Sequence, residues 1–221
     1  PQAPGAPPAL PGGQGQAVLP ARHRAPRPAI SPEARLIENP HPIGEIYLSR
    51  EEIAVRVAEL GREIAADYEG LEPLLVAPLK SSVVFIADLS RALAIPHHLD
   101  FIELAGYLAG ADGSARLLKD LDTPLDGRHV LVVEEIVDTG LTLNFLSRTL
   151  GLRNPASLHA VSLLDRPYRR LVDDVPLRYV GFTVPDELFA GYGLGLDESW
   201  RSLPDLRVVD AAALPAVEDA A

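Results

Sequence analysis

Apolar residues along the chain follow two alternating patterns. Between residues 49 and 66 they recur at three- and four-residue spacing, as Ile53, Val57, Leu60 and Ile64. This spacing predicts an amphipathic helix, which Ser49 and Glu52 are placed to begin with a capping box. Similar patterns predict helices over 82–93 and 141–150. Short apolar runs predict buried strands, at residues 74–79, 98–103, 130–133, 159–164 and 178–184.

Strands that alternate with helices indicate an α/β protein with a mainly parallel, twisted sheet flanked by helices. Ligands of such sheets bind beyond the carboxyl ends of the strands. Lys80 follows one predicted strand, and Glu134 and Glu135 follow another. The sequence therefore places candidate binding residues at one edge of the predicted sheet.

The two ends of the chain differ from this pattern. Residues 1–35 hold nine prolines and four glycines with little periodicity, so we expect a disordered tail. The segment has no continuous apolar stretch typical of a secretory signal. We expect residues 36–209 to form the folded domain and residues 210–221 to form a second loose tail. Within the domain, we expect the Gly- and Ala-rich segment 106–115 to be a mobile loop.

Composition and charge narrow the function. The chain has a net charge of −11, and because residues 1–35 contribute +3 (four arginines, one glutamate), the remainder carries −14. Such an acidic body argues against a nucleic-acid-binding protein. There is no cysteine, the six histidines have no metal-ligand spacing, and no apolar run is long enough for a membrane span. We therefore expect no nucleic-acid partner and no membrane partner.

The most informative segment is VLVVEEIVDTGLT, residues 130–142. A buried strand runs into two carboxylates, Glu134 and Glu135, and then into a turn that opens a helix. Exposed backbone N–H groups and the helix dipole make such a turn an anion site. Carboxylates beside an anion site indicate a ligand with both phosphate and hydroxyl groups, such as a sugar phosphate, or a Mg²⁺ ion. An ordinary strand-to-helix turn with Asp and Thr as cap residues is the alternative interpretation.

This segment resembles the phosphoribosyl-pyrophosphate motif of type I phosphoribosyltransferases. Further segments are similar, in the same order, to those of hypoxanthine–guanine phosphoribosyltransferases, and the resemblance extends over about residues 44–210. The segments are LKSSVVFIADL (79–89), LLDRPYRR (163–170), YVGFTVPD (179–186), GYG (191–193) and WRSLP (200–204).

The resemblance implies the type I phosphoribosyltransferase fold, with a small hood built from the N- and C-terminal segments. It implies transfer of the 5-phosphoribosyl group from phosphoribosyl pyrophosphate to N9 of a 6-oxopurine, hypoxanthine or guanine, with Mg²⁺ as cofactor. The products are IMP or GMP and pyrophosphate, in purine salvage. It further implies a cytoplasmic homodimer or homotetramer.

The resemblance also assigns roles to the residues that would bind phosphoribosyl pyrophosphate. Asp138, Thr139, Gly140 and Thr142 would hold the 5′-phosphate, and Asp138 would also be the catalytic base. The two glutamates would bind the ribose hydroxyls and the metal. The pyrophosphate would be bound by Lys80, Ser81 and Arg201. In the family, the peptide bond before this lysine is often cis.

A second group of residues is implied for the purine. Arg166 would contact the 6-oxygen, Tyr179 would stack on the ring and Val180 would read its edge. Asp186 would bind the exocyclic group or a second Mg²⁺ ion, and Arg170 would orient the base site. For Arg166 the alternative is an ion pair with Asp165, and for Tyr179 it is core packing.

Three positions depart from the family pattern. The usual Glu-Asp pair is Glu134-Glu135, the usual glycines after Lys80 are Ser81 and Ser82, and Arg166 replaces a lysine. Arginine is planar and forked, so this exchange is not conservative. Two alternatives stay open: a phosphoribosyltransferase for a non-standard base, or a nucleotide-sensing regulator on the same fold.

Overall fold

The computed structural model describes residues 42–105, 116–196, 198–210 and Ala213. The predicted tail at 1–35, the predicted mobile loop at 106–115 and most of the predicted loose end at 210–221 lie outside these residues. The elements, in chain order, are β1 (Ile43–Leu48), α1 (Arg50–Asp67), β2 (Leu74–Leu79), α2 (Val83–Ala92), β3 (His98–Ala105), β4 (Arg116–Lys119), β5 (His129–Val137), α3 (Leu141–Gly151), β6 (Ser157–Asp165), β7 (Leu177–Thr183), β8 (Phe189–Ala190) and β9 (Leu206–Val209).

The central sheet has six strands in the order β4-β3-β2-β5-β6-β7. Strands β3, β2, β5, β6 and β7 pair in parallel, and β4 pairs antiparallel with β3 at one edge. β5 pairs with β2 on one side and with β6 on the other. The strand that begins the segment 130–142 therefore lies in the middle of the sheet. The predicted mainly parallel α/β architecture is confirmed.

The sheet separates two apolar layers. On one face, α1 and α2 pack on alternate residues of the central strands, among them Leu131 and Val133 of β5. On the other face, α3 covers the intervening residues, among them Val130 and Val132. Each of these four β5 side chains is fully buried, which is why residues 130–133 form an unbroken apolar run in the sequence.

A second, three-stranded sheet has the order β1-β9-β8 and joins the two ends of the described chain. β1 precedes α1, whereas β8 and β9 follow the central sheet, and all pairings in this sheet are antiparallel. The hood predicted from the N- and C-terminal segments is this small sheet.

The predicted helices agree with the structure to within about two residues at each end. Ser49 caps α1 with the predicted capping box, in which Ser49 Oγ accepts a hydrogen bond from the Glu52 amide and the Glu52 carboxylate accepts one from the Ser49 amide. The sequence patterns missed β1, β4, β8 and β9, because these strands are short or exposed and show no clear alternation. None of the described helices is both long and apolar enough to span a membrane.

Helices α1 and α2 are in close contact at Gly61. A Cβ atom built there would lie 2.7 Å from the Ala92 carbonyl oxygen and 2.8 Å from Ala92 Cβ. Gly61 is fully inside the helix, where glycine costs about 0.5–1 kcal/mol relative to alanine. The close packing of α1 on α2 therefore explains why a glycine occupies this position.

We expect Gly61→Ala to lower the free energy of unfolding by about 1–3 kcal/mol, because the added methyl forces the two helices apart. Gly151→Ala is the matched control, since a Cβ at Gly151 meets no atom within 4 Å. It should raise the free energy of unfolding by up to about 1 kcal/mol. Urea unfolding of both variants tests this. Equal effects of the two substitutions would contradict the proposed helix contact.

Candidate active site

Four strand ends meet at the carboxyl edge of the central sheet. Lys80 follows β2, Asp138 follows β5, Arg166 follows β6, and Asp186 lies three residues beyond β7. Because these strands are parallel neighbours in the order β2-β5-β6-β7, the four residues form a row along one edge. The position agrees with the general rule that ligands of such sheets bind there.

A cleft of about 320 Å³ lies in the middle of this edge. Every residue predicted to bind phosphoribosyl pyrophosphate lines it except Lys80 and Arg201. The lining residues are Pro78, Leu79, Ser81, Leu104, Ala105, Glu134, Glu135, Ile136, Val137, Asp138, Thr139, Gly140, Thr142 and Leu143.

The turn between β5 and α3 has the geometry of an anion site. Gly140 precedes the first turn of α3 with a φ of 80°, a conformation that favours glycine. Gly140 has no side chain to cap α3, the Leu141 amide donates a hydrogen bond of 3.4 Å to Thr139 Oγ1, and the start of the helix presents the positive end of its dipole to the cleft. Arg170 adds a nearby cation, because a Cβ at Gly140 would lie 2.9 Å from Arg170 Cδ.

The two glutamates lie within β5 and not beyond its end, because the strand continues to Val137. The sequence prediction ended this strand at Val133, where the apolar run stops. Glu134 and Glu135 are each only 6% exposed. Burial, and then the neighbouring Glu135 charge, raise the pKa of Glu134 well above its usual value. Glu134 Oε1 is buried without a hydrogen-bond partner among the described residues.

Glu135 has a partner that the sequence did not suggest. Ser82 Oγ donates a hydrogen bond of 2.6 Å to Glu135 Oε2, and Ser82 is completely buried. Ser82 precedes α2, where a serine side chain often caps the helix, but it makes no cap hydrogen bond here. The Ser82 hydroxyl is therefore used for Glu135 and not for the helix terminus.

Lys80 and Arg201 are joined by a carboxylate. Lys80 Nζ lies 3.0 Å from Glu198 Oε2, and Arg201 Nη2 lies 3.3 Å from Glu198 Oε1. These bonds lower the pKa of Glu198, the contact with Lys80 contributing most. The peptide bond between Leu79 and Lys80 is cis, as the resemblance implied. The sequence prediction did not include Glu198, which gives no signal beyond its charge.

Two arginines and two aspartates form a charged cluster at the turn between β5 and α3. Arg166 Nη1 lies 3.6 Å from Asp138 Oδ2 and 3.8 Å from Asp186 Oδ1. Arg169 Nε lies 3.4 Å from Asp138 Oδ1, and its Nη1 lies 3.1 Å from Asp186 Oδ1. The Arg166 side chain is only 5% exposed and also donates to the Glu187 carbonyl. The sequence prediction did not include Arg169.

Arg166 does not pair with Asp165, which was the alternative given by the sequence. Asp165 binds the guanidinium of Arg170 instead. This frees Arg166 to face Asp138, the predicted catalytic base. Arg170 is held beside Gly140 by its ion pair with Asp165, so the structure does not place it at the predicted base site.

Tyr179 and Val180 lie away from this row of strand ends. Tyr179 pairs in register with Val161 in mid-strand, belongs to the core beneath α1, and is 6% exposed. Its hydroxyl donates to Asp67 Oδ2 at 2.7 Å, and burial raises its pKa. The Val180 carbonyl accepts a hydrogen bond from Arg56. These placements contradict the predicted purine contacts and favour the alternative of core packing for Tyr179.

Asp186 is likewise separated from the predicted metal ligands, since its carboxylate is paired with Arg166 and Arg169. Within 42–105, 116–196 and 198–210, no group of three or more histidine, aspartate or glutamate side chains is arranged to hold a metal ion. Asp186 is therefore placed for ion pairing with the two arginines and not for joining Glu134 and Glu135 around one ion.

Comparison with known proteins agrees with this geometry. The protein-family model of the phosphoribosyl transferase domain matches residues 44–194 of this sequence. The hypoxanthine phosphoribosyltransferase of Salmonella typhimurium is 44% identical over 164 residues, covering 72% of this chain and 92% of that protein. The hypoxanthine-guanine phosphoribosyltransferase of Mycobacterium tuberculosis is 40% identical over 190 residues, covering 82% of this chain and 94% of that protein.

Solved structures give the same result. The crystal structure of a hypoxanthine-guanine phosphoribosyltransferase from Bacillus anthracis superposes with a TM-score of 0.71 at 41% identity, covering 76% of this chain and 97% of that one. Sequence, fold and the cleft at the end of β5 agree, and the chain belongs to the phosphoribosyltransferase family.

Proposed function

We propose that this protein transfers the 5-phosphoribosyl group of phosphoribosyl pyrophosphate to N9 of a 6-oxopurine, hypoxanthine or guanine. The products are IMP or GMP and pyrophosphate, in purine salvage. The observation that supports this most directly is the cleft in which the anion turn of Asp138 to Thr142 lies beside Glu134. The names of the relatives, hypoxanthine and hypoxanthine-guanine phosphoribosyltransferases, supply the substrate class.

Phosphoribosyl pyrophosphate has three parts, and the cleft offers groups suited to each. The N–H groups at the start of α3, with the hydroxyls of Thr139 and Thr142, suit the 5′-phosphate. Glu134 suits the ribose hydroxyls, because its free oxygen needs a donor. The backbone at Ser81, with the charges of Lys80 and Arg201, suits the pyrophosphate.

The carboxylates also fit the Mg²⁺ ion that the family implies. Mg²⁺ is usually held by one or two carboxylates together with substrate oxygens and water, so a three-residue cage is not required. The buried, unpartnered oxygen of Glu134 is the best ligand among the described residues, because a cation there would offset its desolvation. When bound, the ion would supply positive charge for the departing pyrophosphate.

The reaction exchanges one bond at C1′ for another. The bond from C1′ to the pyrophosphate oxygen breaks with its electron pair, and N9 of the purine forms the new bond to C1′. The purine loses one proton in the process, and we propose that Asp138, which lines the cleft, accepts it. Arg166 and Arg169 lie on both sides of the Asp138 carboxylate and hold it in one orientation.

We also propose that Arg166 contacts the 6-oxygen of the base. Its guanidinium is buried and held by Asp138, Asp186 and the Glu187 carbonyl. A buried donor fork that is fixed in this way selects a base with a carbonyl acceptor at the matching position. A phosphoribosyltransferase for a non-standard oxopurine is the second candidate, because Arg166 and Arg169 together offer more donors than a single lysine would.

A substrate panel separates these candidates. The purified protein is incubated with Mg²⁺, phosphoribosyl pyrophosphate and, in turn, hypoxanthine, guanine, xanthine, adenine, uracil or no base. We expect nucleotide and an equal amount of pyrophosphate with hypoxanthine or guanine. Nucleotide formed only from xanthine would favour the second candidate. Absence of nucleotide from every 6-oxopurine would overturn the proposed function.

We expect Asp138→Asn to lower kcat by about 10²–10³-fold, because asparagine cannot accept the proton of the purine. The affinity for phosphoribosyl pyrophosphate should stay within about threefold, since the backbone of the turn is unchanged. Steady-state kinetics and calorimetric titration measure the two quantities. The control is Asp122→Asn, at a carboxylate that is 87% exposed. A kcat near that of the parent protein would remove Asp138 as the proton acceptor.

We expect Glu134→Gln to have opposite effects on two properties: it should raise the stability of the folded protein and weaken the binding of phosphoribosyl pyrophosphate. Because the folded-state pKa of Glu134 is raised, the parent protein loses stability as pH rises from the unfolded-state pKa of about 4.3 through the folded-state value. The variant should therefore be more stable than the parent protein at pH 8 and equally stable at pH 4. Its affinity for phosphoribosyl pyrophosphate with Mg²⁺ should fall at least about tenfold.

Urea unfolding at the two pH values, together with calorimetric titration at pH 8, tests this prediction. Glu69→Gln, at an exposed glutamate, is the matched control and should change the stability by less than about 0.5 kcal/mol at either pH. A stability difference between Glu134→Gln and the parent that is the same at pH 4 and pH 8 would contradict the buried charge.

A further inference from the structure

Glu134 and Glu135 are adjacent and equally buried, but their side chains have different surroundings. Glu134 Oε1 has no hydrogen-bond partner among the described residues, whereas Glu135 Oε2 accepts the 2.6 Å hydrogen bond from Ser82. Glu135 follows Leu131 and Val133 on the face of β5 that packs against α1 and α2. Its partner Ser82 directly precedes α2. The two carboxylates therefore differ in how freely they can meet a ligand.

The partner of Glu135 belongs to the loop that would hold pyrophosphate. Ser82 follows Lys80 and Ser81 directly, and the loop turns through a hydrogen bond from the Val83 amide to the Lys80 carbonyl. The completely buried Ser82 hydroxyl bonds to β5 instead of capping α2. The hydrogen bond thus links the loop after β2 to the strand that carries the phosphoribosyl motif.

The opposite side of the same loop is also fixed. A Cβ built on Gly193 would lie 2.1 Å from the Ser81 carbonyl oxygen, so the segment around Gly193 packs directly on the loop. The Gly193 carbonyl in turn accepts a hydrogen bond from Arg201, at 3.0 Å. Ser81 therefore lies between a side-chain anchor at Glu135 and a backbone contact at Gly193, and the position of its N–H group depends on both.

We infer that Glu135 is a positioning residue, which acts through Ser82 to hold the pyrophosphate loop, while Glu134 is the carboxylate of this pair that meets the ribose hydroxyls and the metal. The inference rests on the proposed function. It also revises the sequence-based assignment of the same role to both glutamates. The methylene that distinguishes glutamate from aspartate gives Glu135 additional reach toward the Ser82 hydroxyl.

The test uses the full chain and measures the affinity for pyrophosphate with Mg²⁺ by calorimetry. Ser82→Ala should weaken this affinity about tenfold, because the loop loses its anchor. Glu135→Gln should lose less, because an amide oxygen still accepts the Ser82 hydrogen bond. Ser82→Thr, which keeps the hydroxyl, should recover at least half of the lost binding free energy.

A double-mutant cycle tests the coupling. Glu135→Leu removes the acceptor, and in combination with Ser82→Ala it leaves no buried polar group unpaired. We therefore expect the double variant to bind pyrophosphate no more weakly than either single variant. Additive losses, or equal losses for Glu135→Gln and Glu135→Leu, would show that the Glu135 charge contacts the ligand and would overturn the inference.

Two further measurements complete the design. Ser90→Ala is the matched control, because Ser90 also lies on α2 and bonds to His97 outside the cleft; its pyrophosphate affinity should equal that of the parent. Ser82→Ala should also speed hydrogen exchange of the Val83 amide, and Ser90→Ala should not. The exchange rates decide the inference even if the parent forms no nucleotide from any 6-oxopurine, a result that would overturn only the proposed function. Unchanged exchange in Ser82→Ala would overturn the inference.

Discussion

The parallel pairing of β5 between β2 and β6 is the constraint on which the rest of the structure depends. Its register aligns Val76 of β2 with Val132, and Val137 with Asp165 of β6. The loop after β2, the turn after β5 and Arg166 after β6 consequently lie at the same edge of the sheet, where the parallel strands end. A slip of one residue would turn the glutamates of β5 to the opposite faces of the sheet and separate the anion turn from its carboxylates.

The same pairing explains how an acidic protein can offer a site for an anionic substrate. The net charge of −11 belongs to the chain as a whole, whereas the charges that matter at the cleft are set by the strand ends. Lys80 follows β2 and Arg170 lies beside Gly140, while Arg166 and Arg169 lie next to Asp138. Each of these cations already has a carboxylate partner, so the site holds its positive charge in fixed positions and without large repulsion.

Much of the fold, and the part of the site that is contiguous in the chain, could be predicted from the sequence. The central strands and α1 to α3 have clear apolar periods, and the residues from Glu134 to Thr142 are contiguous, so a local pattern is enough to find them. Contacts between distant segments leave no such pattern. The hydrogen bond from Ser82 to Glu135 joins residues 53 positions apart, and the pair of Lys80 with Glu198 spans 118. Tyr179 was misplaced because an aromatic residue in a strand has the same appearance in a core as in a binding site.

Glu198 gives the proposed pyrophosphate subsite an anion of its own. Its carboxylate bridges Lys80 and Arg201, the two cations assigned to the departing group of the substrate. An anion that arrives there does not meet bare positive charge, because it takes over two partners from a carboxylate that is already present. Under the proposed assignment, the Glu198 carboxylate would compete with pyrophosphate for Lys80 and Arg201, and it would pair with them again when pyrophosphate leaves. If pyrophosphate binds these two cations as proposed, its release would exchange one anion for another and would not expose two unpaired cations.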